Sequence, residues 1–242
     1  MPNFKYLLII IFATVILSAL ALPVFAVDYN PGVTSGQYVK YGNFIGSGQG
    51  FETFNDYGFL QLQVISVSGK DVTLLSTGQF KNGAALPGNG TTAVWNIETG
   101  TEDGTPSTQG PIIAANLNQG DAIPPSNTYA VNQSESRTYL GFSRSVNILN
   151  VEISTSDYNS TLTYVYDKLS GMLLESSTQT TTQSEPQPVV ANYSYSIIET
   201  NIFSSTTTPV NNLITEYIIV AAIVIAIIIV AVVIILFRKR KF

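Results

Sequence analysis

Between residues 60 and 200, apolar side chains return at every second position in several short stretches, the period of a strand with one face buried. Leu60, Leu62 and Val64, then Ile65 and Val67, stand before Ser68-Gly69-Lys70-Asp71, and Val72, Leu74 and Phe80 stand after it. A Gly-containing turn between two such runs predicts a β-hairpin. Leu162, Tyr164 and Tyr166 alternate with polar neighbours before Asp167-Lys168-Leu169-Ser170-Gly171, and an apolar run resumes at Met172. This predicts a second hairpin, turned by Asp at its entrance and by a left-handed Gly in a type I turn with a G1 bulge.

Weaker signals add strands around Gln37–Tyr41, over Thr92–Ile97, over Val146–Ile153 with a bulge at Leu149 and Asn150, and from Asn192 to Phe203. The tract 176–184 is almost entirely Ser, Thr and Gln and reads as a strand end running into a loop, while 98–120 reads as loop. No stretch keeps a helical period over three turns. The expected fold class is therefore mostly all-β and antiparallel, either a two-layer sandwich or a curved half-barrel sheet.

Two segments break this pattern. Lys5 precedes an apolar run from Tyr6 to Leu22, then Pro23 and Val24-Phe25-Ala26, the layout of a signal peptide cleaved after Ala26, with an uncleaved signal anchor as the alternative. Tyr217 to Phe237 is 21 residues long without a charged, amide, Gly or Pro side chain, and Arg238-Lys239-Arg240-Lys241 follows at once. A bilayer core takes about 20 helical residues, and the basic end marks the cytoplasmic side. The expected organisation is a signal peptide at 1–26, a β-rich extracellular domain at 27–203, a Ser/Thr/Pro stalk at 204–216, one transmembrane helix at 217–237 that partners the lipid bilayer, and a basic tail at 238–242.

Composition then removes whole classes of chemistry. The chain has no His and no Cys, so Ser-His-Asp and Cys-His nucleophiles, imidazole or thiolate zinc sites and disulfides are all excluded. Six basic residues face fifteen acidic ones between 27 and 212, a balance of −9, which is unsuited to nucleic acid. Gly46-Ser47-Gly48-Gln49-Gly50 lacks the Gly-Lys-Ser/Thr ending of a phosphate loop. Glu98, Glu102 and Asp103 are three carboxylates in one loop without the order of a calcium loop. Glu52 with Asp56, and Glu98 with Glu102, are the pairs that a carboxylate-dependent glycan-active enzyme would require. No catalytic, cofactor or metal residue is assigned. Four Asn-x-Ser/Thr sequons, at Asn89, Asn132, Asn159 and Asn192, are glycosylation candidates on an exported chain.

Gly36-Gln37-Tyr38-Val39-Lys40-Tyr41, Ile113-Ala114-Ala115-Asn116-Leu117 with Gly120-Asp121, and Tyr166 to Glu175 together resemble archaeal secreted and surface-anchored β-rich proteins of unassigned function. The late hairpin also resembles the Tyr-x-Asp-x-x-Ser/Thr-Gly hairpin of lipoprotein-carrier-like curved sheets, whose concave face takes a lipid. The expected function is thus a plasma-membrane glycoprotein displaying a binding or structural module to envelope proteins or glycans. The alternatives are a carrier or sensor of a hydrophobic ligand and a glycan-active enzyme.

Overall fold

The computed structural model describes residues 27–204 apart from 49, 108–109, 126–128 and 183–187. The expected signal segment, nearly all of the stalk, the 217–237 segment and the basic tail lie outside the described residues. Among the described residues no α-helix occurs, and no helix is long and apolar enough to cross a membrane.

Eleven strands form one antiparallel sheet: β1 (Tyr38–Ser47), β2 (Tyr57–Ser68), β3 (Asp71–Phe80), β4 (Thr91–Asn96), β5 (Thr101–Glu102), β6 (Thr105–Pro106), β7 (Gln133–Tyr139), β8 (Phe142–Ser154), β9 (Tyr158–Asp167), β10 (Leu173–Thr182) and β11 (Val189–Thr200). The spatial order is β6-β5-β4-β3-β2-β1-β11-β10-β9-β8-β7. The first and last long strands therefore pair at the centre, Val39 opposite Thr200 and Ile45 opposite Ser194, and two meanders run outward from that seam. All strands belong to one hydrogen-bonded row, so two separate sheets of a sandwich are not the arrangement adopted.

The hydrophobic alternation explains which face is buried. Val39 and Tyr41 on β1, Val72 and Leu74 on β3, Leu149 on β8, Leu162, Tyr164 and Tyr166 on β9 and Ile197 on β11 are all buried. The segment 107–132, which carries the chain from one outer edge of the sheet to the other, fills this inner face with Ile112, Ile113, Ala114, Leu117 and Ile123. Trp95 of β4 and Tyr166 of β9 line one small cavity of about 20 Å³ with Ile112 and Ile113. Six strand spacings separate β4 from β9, roughly 29 Å on a flat sheet, so the sheet bends strongly around the segment. Sequence patterning reads 98–120 as loop, and the backbone there is indeed mostly irregular. Yet it holds β5 and β6, and its apolar residues are core.

Both expected hairpins form, with differences that the hydrogen bonds explain. Gly69 and Lys70 make the first turn, with φ +59 at Gly69 and no positive φ at Lys70, the pattern of a type II′ turn. The second turn is wider than the expected type I with G1 bulge. Gly171 N–H donates to Asp167 O at 2.8 Å and Asp167 N–H to Met172 O at 2.8 Å, so four residues form the loop and Gly171 closes it at φ +75. A Cβ on Gly171 would lie 2.0 Å from Ile113 O, so the turn also needs glycine for packing. The expected bulge at Leu149 and Asn150 is absent, because β8 and β9 pair without a break from Val146–Asp167 to Ser154–Asn159. Bulges occur instead in β1, β2 and β10. β10 runs on through the Thr-rich tract to Thr182, where β-branched side chains suit a paired strand.

The end of the sheet near the second hairpin is tied down by charge. Arg144 donates from Nε and Nη2 to the two Asp167 oxygens at 2.8 and 2.9 Å, and Ser170 donates to Oδ2 from its N–H and hydroxyl at 2.9 and 2.7 Å. Asp167 is fully buried, and four donors replace the water its carboxylate loses. Arg137 and Tyr139 reach back from the β7–β8 hairpin to Glu175, folding that hairpin over the outer face. This accounts for the burial of Val146, Ile148 and Val165, which sit on the side opposite Tyr164 and Tyr166.

Candidate functional site

The opposite end of the inner face has a different chemistry. Between β1 and β2 the chain makes a 3-10 segment, Glu52–Asp56, which lays Phe51 and Phe54 over the central strands. The Asn55 side chain fixes that turn, accepting from Gly46 N–H at 3.0 Å and donating to Gly46 O at 2.6 Å, in the manner of a paired strand residue. Gly46 allows the approach, since a Cβ there would lie 1.8 Å from Phe51 O. Gly46 and Gly48 thus make a close-packed entry to an aromatic turn. It leads into a 3-10 segment rather than the long helix that a phosphate loop requires.

Phe54 stacks on Tyr193 with centroids 4.8 Å apart and planes 9° apart, and Phe51 approaches the same ring at 4.9 Å. Tyr57 joins Phe54 to Phe80, and Phe44 joins Tyr57 to Tyr195, through contacts of 5.2 to 5.7 Å. Such pairs add about 0.5–1.5 kcal/mol each beyond simple burial. Phe51, Phe54, Tyr57, Phe80 and Tyr193 are only partly covered, so the rings form a surface as well as a support. Beside them, Asp56, Tyr57, Phe80 and Lys81 line an open groove of about 600 Å³. Val189, Tyr158 and Ile153 expose apolar surface at the same end of the sheet.

Beneath the rings lie three hydroxyls that lack partners: Tyr164 Oη, Ser176 Oγ and Thr178 Oγ1. Ser176 stands opposite both Tyr164 and Tyr195, and Thr178 opposite Tyr193, so the three are neighbours on adjacent strands. A buried hydroxyl without a partner costs about 1–3 kcal/mol, and such groups call for water or a ligand. Burial pushes the Tyr195 phenol up to about 12 while the Ser176 hydroxyl draws it back, lying close by without completing a hydrogen bond. Burial also raises Tyr164, with Tyr193 and Tyr195 adding to the effect. These phenols stay neutral at ordinary pH and so offer O–H donors rather than bases.

The residues singled out by sequence fall elsewhere. Glu52 and Asp56 lie exposed on the aromatic turn, Glu52 accepting from Gly50 N–H at 3.0 Å. Glu98 and Glu102 are exposed around Asn96, and Asp103 accepts from Val94 N–H at 2.9 Å and so prolongs the edge of β4. Among the described residues no trio of carboxylates gathers closely enough to hold a metal ion. Asn89 occupies a turn before β4 and Asn132 the residue before β7, where its N–H donates to Ile148 O at 2.9 Å, whereas Asn159 and Asn192 lie within β9 and β11. The aromatic surface escapes a search for catalytic motifs. Its only sequence signal is the density of rings between Gly32 and Gly58, which points as readily to a core.

No protein-family model matches the chain, and none of the curated proteins matches it.

Proposed function

We propose that this protein is exported, held in a membrane by its apolar 217–237 segment with the basic tail in the cytoplasm, and displays the sheet outside the cell as a binding module. The aromatic end of the inner face is the binding surface. The observation that carries this is the pairing of partly exposed rings with three buried hydroxyls that have no partner. Rings supply apolar contact at low entropic cost, and unpaired donors supply orientation. The ligand class is an amphipathic molecule with an apolar body and a hydrogen-bonding head. A sheet bent as a half-barrel around such a molecule is the form in which the module also serves as a carrier or sensor.

The absence of Cys allows each part to be tested with single reporters. Asp157→Cys in the full chain should react with a membrane-impermeant maleimide on intact cells, and Phe242→Cys only after permeabilisation; the reverse pattern removes the topology. A dansyl-labelled fatty acid should gain fluorescence on the wild-type chain in detergent, and Phe54→Ala with Tyr193→Ala should abolish the gain. Equal binding by wild type and double variant removes the aromatic site.

A further inference from the structure

An unclosed sheet has two free edges, and free edges invite pairing with other chains. β6 is only two residues long and ends on Pro106, which has no N–H to offer. β7 pairs with β8 alone and carries Glu135 and Arg137. β5 covers β4 at Trp95 and Asn96 only, so the outer side of β4 over Thr91 to Ala93 has no strand partner among the described residues.

The four sequons divide along the same line. Asn159-Ser160-Thr161 is paired on both sides, with β8 and β10, and Asn192-Tyr193-Ser194 likewise, with β10 and β1. Asn89 sits in the turn immediately before the open side of β4, and Asn132 immediately before the edge strand β7. Both are exposed. The Asn89 and Asn132 side chains are oriented by their oxygens, which accept from Gly78 N–H at 2.9 Å and Asn150 N–H at 2.6 Å, and not by the nitrogen that joins a sugar. A transferring enzyme must take hold of the three-residue backbone. A turn, or an edge strand end paired on one side only as Asn132 to Ser134 is with β8, opens locally, whereas a strand locked on both sides opens only with the sheet.

We infer that Asn89 and Asn132 carry N-linked oligosaccharide, that Asn159 and Asn192 do not, and that the two sugars cover the open edges of the sheet. The inference rests on the exported topology proposed above. In the transfer, Nδ2 bonds to the anomeric carbon of an oligosaccharide carried on lipid phosphate. The C–O bond to phosphate breaks, the phosphate leaves with the electron pair, and the amide gives up one proton. A hydrated glycan beside β4 and another beside β7 then exclude a second chain from the unpaired groups.

Glycopeptide mass spectrometry of the full chain from its native membranes should find sugar at Asn89 and Asn132 and bare amides at Asn159 and Asn192. Sugar confined to the latter pair overturns the assignment. Four bare sites on a chain that Asp157→Cys labelling shows to be outside overturn this inference alone, and four bare sites on a chain labelled only after permeabilisation overturn the topology with it. Thr91→Val with Ser134→Ala removes the hydroxyls that the two sequons need while leaving both Asn in place. Ser134 Oγ also donates to the buried Asn147 Oδ1 at 2.6 Å and Thr91 Oγ1 to Gly88 O at 2.7 Å, so the variant should melt below wild type. Held well below its melt, it should self-associate in detergent as its concentration rises, whereas Thr91→Ser with Ser134→Thr, which keeps both hydroxyls, should remain a single particle. A double variant that is folded by circular dichroism and remains a single particle overturns the edge role.

Discussion

Tyr164 and Tyr166 stand two residues apart on one strand and face one side of the sheet, yet the Tyr166 phenol donates to Gly110 O at 3.0 Å and the Tyr164 phenol has no partner. The difference is the reach of the 107–132 segment, which fills one end of the inner face and stops short of the other. At the filled end the buried polar groups are satisfied: Tyr41 donates to Leu173 O at 2.8 Å, Asn147 to Leu117 O at 2.9 Å, and Asp167 holds four donors. At the aromatic end, polar groups are buried and left waiting. One end is built for stability, and the other gives some up to stay receptive.

The sharpest way to break this contrast is at Asp167. Asp167→Ala leaves the largely buried Arg144 without its carboxylate and should cost about 3–5 kcal/mol, read as a lowered urea midpoint of the domain. A loss under about 1 kcal/mol would mean that the filled end is not the stabilising one. Alkali should come next. The ordinary phenol value is 10.0 and folded Tyr195 sits at about 12, so folding favours its neutral form. Stability is complete below pH 10 and falls as the pH rises through about 12, by about 3 kcal/mol for this group, which urea melts at stepped pH would register.

Gly46→Ala tests the aromatic end from its backbone. The added methyl must displace the Phe51 carbonyl, which should cost about 1–3 kcal/mol and loosen the turn, with faster amide exchange confined to residues 44–57. Spread of that exchange to β9 would join the two ends that are here held apart. The smallest effect is the matched pair. Tyr166→Phe strands the Gly110 carbonyl and should lose about 1 kcal/mol, while Tyr164→Phe removes an unpaired hydroxyl and should lose nothing or gain up to about that much. Equal losses in denaturant melts would show that Tyr164 already has a partner in solution.

Much of the sheet was legible because period-2 alternation and turn residues act locally. Leu60–Val67, Leu162–Tyr166 and the Asp167–Gly171 turn declare themselves without tertiary help. What escaped depends on neighbours. β7 reads Gln-Ser-Glu-Ser-Arg-Thr-Tyr, with no apolar face, because an edge strand packed on one side has little to bury. Ile112 to Leu117 looked like loop because irregular backbone has no period, although the bent sheet makes it core. The candidate site was hidden for a related reason. Phe44, Phe51 and Phe54 lie close together in the chain, but the Tyr193 they gather around comes from β11, and an aromatic residue carries the same sequence signal whether it lines a core or a mouth.

The central seam between β1 and β11 has a kinetic consequence. Its two strands are about 160 residues apart in the chain, so a sheet that grows outward from its middle cannot form that middle until nearly everything has been made. Until β11 arrives, the inner edge of β1 stands open in a half-built meander, and the last strand must find the first against a steep loop-closure entropy. Rejoining the chain so that residue 202 leads directly into residue 36 and the new ends fall in 107–132 would turn the seam into an ordinary hairpin. That permutant should reach the sheet faster in stopped-flow refolding, because the order of assembly has changed, and should be less stable at equilibrium, because it lacks buried Val33 and the Asn30 carbonyl that accepts from Ala115 N–H.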